Sequence, residues 1–159
     1  MSGLIMLVED NENDVFFFKR AMIPAGLNHP LRVAPNGRDA IDYLDGHGKY
    51  ADRTEFPLPR LVLLDLKLPE VSGLEVLKWI RSQGKFNTLV VVMLAASHLD
   101  DAIPRAYALG ANSFLVKPSS LDELAKMLRL IKEYWLELNR QPPPHSSLET
   151  RPKQETPSN

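Results

Sequence analysis

Three short apolar runs in this chain end on charged residues. Leu61-Val62-Leu63-Leu64 runs into Asp65, Leu4 to Val8 runs into Glu9-Asp10, and Ser113 to Val116 runs into Lys117-Pro118. Strands buried on both faces of a parallel sheet read as continuous apolar runs rather than alternating ones. Open parallel sheets bind ligands at the carboxyl ends of their strands. A chain of this kind is therefore expected to bring an acid, an acid pair and a lysine together at one end of a sheet.

Between the runs the spacing turns helical. After a strand at Leu4–Val8, Asn13–Ile23 reads as a helix capped by Asn13 or Asn11, with Val15, Phe16, Phe18 and Met22 directed at the core. Leu31–Ala34 reads as a short strand, and Asn36-Gly37 turns into a helix over Arg38–Leu44, with Ala40, Ile41 and Leu44 in register. Asp45–Arg60 holds Gly46, Gly48, Pro57 and Pro59 and is expected to be mainly loop. A third strand, Leu61–Asp65, precedes a helix over Gly73–Arg81 with Leu74, Val76, Leu77 and Ile80 inward. Leu89–Leu94 is the fourth strand, Asp100–Leu109 a helix closed by Gly110 with Pro104 near its first turn, and Ser113–Val116 the fifth strand. Leu121–Leu138 reads as one long amphipathic helix with Leu124, Leu128, Ile131, Trp135 and Leu138 on its inner face. Five strand–helix units imply an α/β fold, a five-stranded parallel sheet with helices on both faces. Gln141–Asn159 opens with Pro142-Pro143-Pro144 and has almost no large apolar residues, so a disordered tail is expected.

Composition narrows the function. The 159 residues suggest one domain with an adequate core. A net charge of -1 gives no basic excess pointing to nucleic acid. The absence of cysteine removes disulfides, thiolate nucleophiles and Cys-based zinc sites. No run is long enough to span a bilayer, and the start lacks a basic segment followed by an apolar stretch. These features lead us to expect a cytoplasmic protein without membrane or nucleic-acid partners.

The ordered segments Leu7-Val8-Glu9-Asp10-Asn11, Leu63-Leu64-Asp65-Leu66-Lys67-Leu68-Pro69-Glu70-Val71-Ser72-Gly73 and Gly110-Ala111-Asn112-Ser113-Phe114-Leu115-Val116-Lys117-Pro118 resemble the receiver domain of two-component response regulators. The resemblance covers about Leu4 to Leu138. It implies a flavodoxin-like fold, strand order 2-1-3-4-5, with the receiver domain at 1–140 and the tail at 141–159. It further implies that Asp65 accepts a phosphoryl group from a sensor histidine kinase. Glu9, Asp10 and Asp65, with the backbone carbonyl of Lys67, would hold Mg2+, a hard cation suited to oxygen ligands. Lys117 would pair with phosphoryl oxygens as a point charge. Pro69 and Gly73 would shape the loop after Asp65, and Pro118 falls on the family's cis-proline position. Each signal has a plain alternative: a lone strand-end Asp is most often a cap or turn residue, and an acid pair a solvated loop. Their joint placement on the first, third and fifth strands favours the functional reading.

The chain departs from the pattern after the fourth strand. Where the family carries a Thr or Ser that hydrogen-bonds the phosphoryl group, the segment Met93-Leu94-Ala95-Ala96-Ser97 puts Ala95. A hydrogen bond to a charged group is worth roughly 1.5–3 kcal/mol, so its loss is expected to mute the switch. Ser97 lies two residues on, with a direction the sequence does not fix. The second switch position, an aromatic, falls on Phe114, whose plain alternative is a core residue.

The small receivers partnered with bacterial phytochrome kinases are similar in Ala106–Ser113 and in Lys132–Asn139, which implies such a kinase partner and a homodimer through the last helix, with Tyr134, Trp135 and Leu138 as contacts. The plain alternative for Trp135, a lid on the core, stands slightly ahead of the contact reading. Output is expected through protein contacts, and the chain is not expected to be an enzyme beyond self-dephosphorylation. Two alternatives stand beside this: a degenerate receiver that binds partners without phosphate, favoured by Ala95, and a small flavin-type α/β protein. The acidic loop Asp10–Asp14 and the lack of GxGxxG or a Walker loop weigh against the latter.

Overall fold

The computed structural model of this chain describes residues 3–97 and 101–142. Its strands are β1 (Ile5–Val8), β2 (Leu31–Ala34), β3 (Leu61–Asp65), β4 (Val90–Ala95) and β5 (Ser113–Val116). The helices are α1 (Glu12–Ala25), α2 (Gly37–Asp45), α3 (Gly73–Ser82), α4 (Ala102–Ala108) and α5 (Leu121–Ile131), the last continued by a π-helical segment, Lys132–Leu138. The sheet is parallel throughout, in the order β2-β1-β3-β4-β5. This is the expected flavodoxin-like architecture, strand order 2-1-3-4-5.

The apolar runs behave as expected of central strands. Every residue of β1, β3 and β4 is buried, whereas β2 and β5 form the half-buried edges. Alternate residues of the central strands feed two cores. Ile5, Leu7, Leu61, Leu63, Val92 and Leu94 face α1 and α5, packing on Phe18, Ala21, Leu124 and Leu128. Met6, Val8, Val62, Leu64, Val91 and Met93 face α2, α3 and α4, packing on Ala40, Leu44, Leu77 and Ala106. Among the described residues no helix is long and apolar enough to cross a membrane.

Local chemistry sets the helix ends. Asn11 caps α1, its side chain accepting from Asn13 N and Asp14 N. The helix runs past the expected end at Ile23, through Pro24, whose missing N–H costs only one bond in the last turn; Gly26 then closes it in the left-handed conformation (φ 65°). Ser72 and Glu75 form a capping box that starts α3 just after the loop following Asp65. Pro104 is the third residue of α4, where its missing N–H has no partner to lose. The expected start of that helix at Asp100 lies outside the described residues, as does the expected tail from 143 onward.

Two core assignments are corrected. Phe16 is 63% exposed. The inner face of α1 follows Phe18, Ala21 and Ala25, and Phe16 lies off that stripe with the Arg20 guanidinium beside its ring. Leu138 is 72% exposed, and Leu136 is buried instead. The expected single α-helix over Leu121–Leu138 changes to i→i+5 bonding after Ile131, with Asn139 N donating to Tyr134 O. A wider turn moves the inward position from Ile131 to Leu136, five residues on, which an uninterrupted 3.6-residue period does not anticipate.

The two leucines should respond differently to truncation. Leu136→Ala should cost about 2–4 kcal/mol in urea unfolding. Leu138→Ala should fall within about 0.5 kcal/mol of the native chain. The reverse order would restore the uninterrupted α-helix.

Candidate functional site

The chain leaves β1 toward β2 on one side, and β3 lies on the other side of β1, so the strand order reverses there and opens a crevice at the carboxyl ends. Glu9 and Asp10 follow β1 directly, Asp65 ends β3, and Lys117 follows β5. Backbone bonds extend the sheet by one step at each point: Glu9 N donates to Ala34 O (3.0 Å), Leu66 N to Leu94 O (2.8 Å) and Lys117 N to Ala95 O (2.7 Å). The charged residues are thus fixed by the sheet.

Lys117 is the centre of the cluster. Its Nζ donates to Glu9 Oε2 at 2.5 Å and lies 3.2 Å from Asp65 Oδ1 and 3.5 Å from Asp14 Oδ2. Glu9 accepts a second bond at Oε1 from Asn11 N. Glu9 and Asp65 are buried, whereas Asp10 is exposed. Burial pushes the Asp65 carboxyl up to about 6; Lys117 opposes that rise, and Glu9 and Asp10 add to it. Burial pulls the Lys117 ammonium down, but Glu9 and Asp65 outweigh it and hold the group above its ordinary value.

Between these groups lies a cavity of about 180 Å³, lined by Glu9, Asp10, Asp14 and Asp65, by Lys67 and Lys117, and from the β4 side by Ala96 and Ser97. Oxygens of Glu9, Asp10 and Asp65 lie within 4.8 Å of one another. Three converging carboxylates, two buried and one of them with its ionisation disfavoured, suit a hard divalent cation with oxygen ligands, which would relieve their repulsion.

The structure brings Glu9, Asp10, Asp65, Lys67 and Lys117 to one cavity. Gly73 stands behind it: its N–H donates to Leu66 O, and a Cβ there would overlap the Asp65 carbonyl oxygen, so the residue must be glycine. Pro69 is exposed and its carbonyl accepts from Val71 N (2.8 Å), a tight turn that puts Glu70 at φ 64°. The Lys117–Pro118 bond is trans; Pro118 falls on the family's cis-proline position, and the sequence leaves its isomer open, since proline makes cis accessible without requiring it. Ala95 is buried at the end of β4 and packs with the α2–α4 core, and Phe114 packs half-buried against that core. Tyr134 and Leu138 are exposed, while Trp135 packs against the α1–α5 core with Tyr134 edge-on at 4.7 Å.

Two features escaped the sequence reading. Asp14 reaches Lys117 from the first turn of α1, the end of the helix that faces the site, and the run of acids Asp10–Asp14 after β1 was the available signal. Leu7, Phe18, Leu94 and Leu124 floor a second cavity of about 340 Å³, whose rim is Asp14, Phe17, Lys117 and Met127. Lys117 borders both cavities.

Comparison with known proteins finds matches to the domain as a whole. The family described as "Response regulator receiver domain" matches residues 5–129. The probable methanogenesis regulatory protein FilR2 of Methanothrix harundinacea is 40% identical over 144 residues, covering 89% of this chain and 88% of FilR2. Response regulator Rcp1 of Synechocystis is 34% identical over 134 residues, covering 84% of this chain and 89% of Rcp1. A crystal structure of the phosphorylated cyanobacterial phytochrome response regulator RcpA superposes with a TM-score of 0.82 at 33% identity, covering 90% of this chain and all (100%) of that one. The Mn(2+)-bound form of Rcp1 gives a TM-score of 0.78 at 33% identity, covering 89% and 99%.

The raised value at Asp65 has a sign for stability. Unfolded, an aspartate titrates near 3.9; folded, Asp65 titrates at about 6. The folded chain therefore holds the proton more tightly, and the stability this gives below about pH 4 is lost as pH rises through about 6. In chelator, Asp65→Asn should be more stable than the native chain by on the order of 2–3 kcal/mol at pH 7.5, with the gap closing near pH 4. Paired urea titrations read this; a gap independent of pH would assign it to another cause.

Proposed function

This chain belongs to the response regulator receiver family, and we propose that it accepts a phosphoryl group on Asp65 from a phosphohistidine of a sensor kinase in two-component signalling. The supporting observation is the buried bridge from Lys117 to Glu9 and Asp65 at the carboxyl ends of three strands. Near neutral pH, above about 6, Asp65 is a carboxylate. One of its oxygens attacks phosphorus in line; the new P–O bond forms as the P–N bond to histidine breaks, and the imidazole leaves, taking a proton from solvent. Lys117, already beside Asp65, turns its ammonium to the incoming phosphoryl oxygens. Glu9, Asp10, Asp65 and the Lys67 carbonyl would hold Mg2+, which would neutralise charge on the phosphoryl oxygens. Loss of the group follows when water attacks phosphorus and the P–O bond breaks, returning the carboxylate and inorganic phosphate.

Receiver-family relatives are signalling proteins rather than classical enzymes, and we read the output as protein contact. RcpA is described as a phytochrome response regulator, which supports a phytochrome-type kinase as donor; FilR2, named for methanogenesis, supports the receiver class but not light as the signal. Because such kinases draw on ATP, we place the reaction in the cytoplasm. Leu130, Tyr134 and Leu138 form an exposed apolar stripe at four-residue spacing, which supports a homodimer through the end of the last helix. Trp135 belongs to the core side of that helix. Leu130→Ser with Leu138→Ser leaves the core intact and should yield monomer in sedimentation; an unchanged dimer would place the interface elsewhere.

The reading itself is tested by intact mass after incubation with acetyl phosphate and Mg2+. The native chain should gain one phosphoryl group, and chelation or Asp65→Asn should abolish the gain. Failure of the native chain with both acetyl phosphate and a kinase donor would favour a degenerate receiver, the alternative that the methyl of Ala95 supports.

A further inference from the structure

A phosphoryl group on Asp65 presents three terminal oxygens, and the cavity around it is rich in groups that cannot donate to them. Four of its lining side chains are carboxylates. Asn11, on the α1 side, uses its side-chain oxygen for capping, accepting from Asn13 N and Asp14 N, and keeps its amide N–H groups on that side of the cavity. Lys117 approaches from the β5 side. On the β4 side the residue that ends the strand, Ala95, carries only a methyl, is 2% exposed and packs with Met93, Ala102 and Ala106 in the α2–α4 core. Two residues further on, past the strand end where sheet alternation no longer fixes direction, Ser97 is exposed and lines the acidic cavity. Among the described residues that line it, Ser97 is the one with a hydroxyl.

We propose that Ser97 supplies the neutral hydrogen bond to a phosphoryl oxygen on Asp65, so that the hydroxyl missing at Ala95 has moved two residues along the chain. The inference rests on the phosphoacceptor reading of Asp65. Ser97 keeps its proton throughout. In transfer from acetyl phosphate the Asp65 oxygen bonds to phosphorus, the P–O bond to the acetyl group breaks, and acetate leaves as its carboxylate, so no proton is drawn from serine. A hydroxyl donating there would meet a developing negative charge, and a charge-assisted bond is shorter and stronger than a neutral one. Ser97 is the second residue after the end of β4, in the β4–α4 connection, so the same bond would tie the phosphoryl state to that connection without any contribution from Ala95.

The test measures the rate constant for phosphoryl gain from acetyl phosphate by intact mass, with Mg2+ affinity measured separately by titration calorimetry. Ser97→Ala should slow the gain by about 10- to 100-fold while Mg2+ affinity is unchanged. Ser97→Thr, which keeps the hydroxyl, should lose less. The double variant Ala95→Thr with Ser97→Ala, which moves the hydroxyl to the strand end, should recover part of the loss. A Ser97→Ala chain that gains at the native rate overturns the role of Ser97 alone. So does a slowed chain whose Mg2+ affinity falls in parallel, or a Ser97→Thr chain as slow as Ser97→Ala. A native chain that gains nothing from either acetyl phosphate or a kinase overturns the reading of Asp65, and this inference with it.

Discussion

The geometry of the site depends on one ammonium group. Lys117 Nζ gathers Glu9, Asp65 and Asp14, residues that arrive from β1, β3 and α1, onto the end of β5. Truncating one partner of a buried ion pair leaves an uncompensated charge and is costly, whereas the intact pair adds little net stability because desolvation offsets attraction. The cluster is therefore weak as a source of stability and strong as a constraint. Lys117 must stay charged because two buried carboxylates surround it, and those carboxylates tolerate burial because Lys117 is there. Asp65 shows the limit of the arrangement: even with the lysine 3.2 Å away, burial and the neighbouring acids hold its carboxyl up at about 6. Added positive charge, or loss of negative charge, is what such a site accommodates most readily.

The sheet makes that concentration of charge possible. Central strands buried on both faces leave no room for polar groups along their length, so the chemistry is confined to their ends, where the backbone ladder still fixes direction. Gly73 contributes from behind by letting the α3 entry close against the Asp65 carbonyl. The capping box of Ser72 and Glu75 starts the helix at the same place, so a tight turn, with Glu70 in the left-handed region, and a helix start together hold the loop after Asp65.

Most of this was legible in the sequence because the signals were local and strong. The apolar runs named the strands, and the charges that ended them named the cavity: Glu9, Asp10, Asp65, Lys67 and Lys117 all line it. What escaped depended on geometry that pattern does not carry. After Ile131 the buried position is Leu136, with Trp135 packed beside it as expected and Leu138 exposed, because a π-helical turn resets the period, and nothing in Lys132–Leu138 announces that turn. Phe16 looked like core by type, yet α1 buries the stripe through Phe18 and Ala21. The direction of Ser97 could not be read at all, since it lies beyond the last residue whose side the pleat determines. Asp14 read only as part of the acidic loop Asp10–Asp14; the fold places it in the first turn of α1, within reach of Lys117.

The position of Lys117 also bears on how a change at Asp65 reaches the rest of the molecule. The lysine is the wall shared by the acidic cavity and the larger apolar one between α1 and α5, and Glu9 and Asp14 line both as well. The floor of the apolar cavity is the α1–α5 core itself, through Leu7, Leu94 and Leu124. On the opposite face, Ala95 ends β4 inside the α2–α4 core while its carbonyl holds Lys117 N. The backbone of β4 thus passes from one core to the lysine in a single hydrogen bond, and the side chain of that lysine passes to the other. A new negative group on Asp65 must redistribute the pairing of Lys117 among Glu9, Asp14 and itself, because one ammonium has three donors and no capacity to serve more partners at full strength. Packed interiors move between discrete arrangements rather than deforming smoothly. Under the proposed phosphorylation of Asp65, the seam between the two cores, and not either helical face alone, is therefore where its charge would be converted into shape.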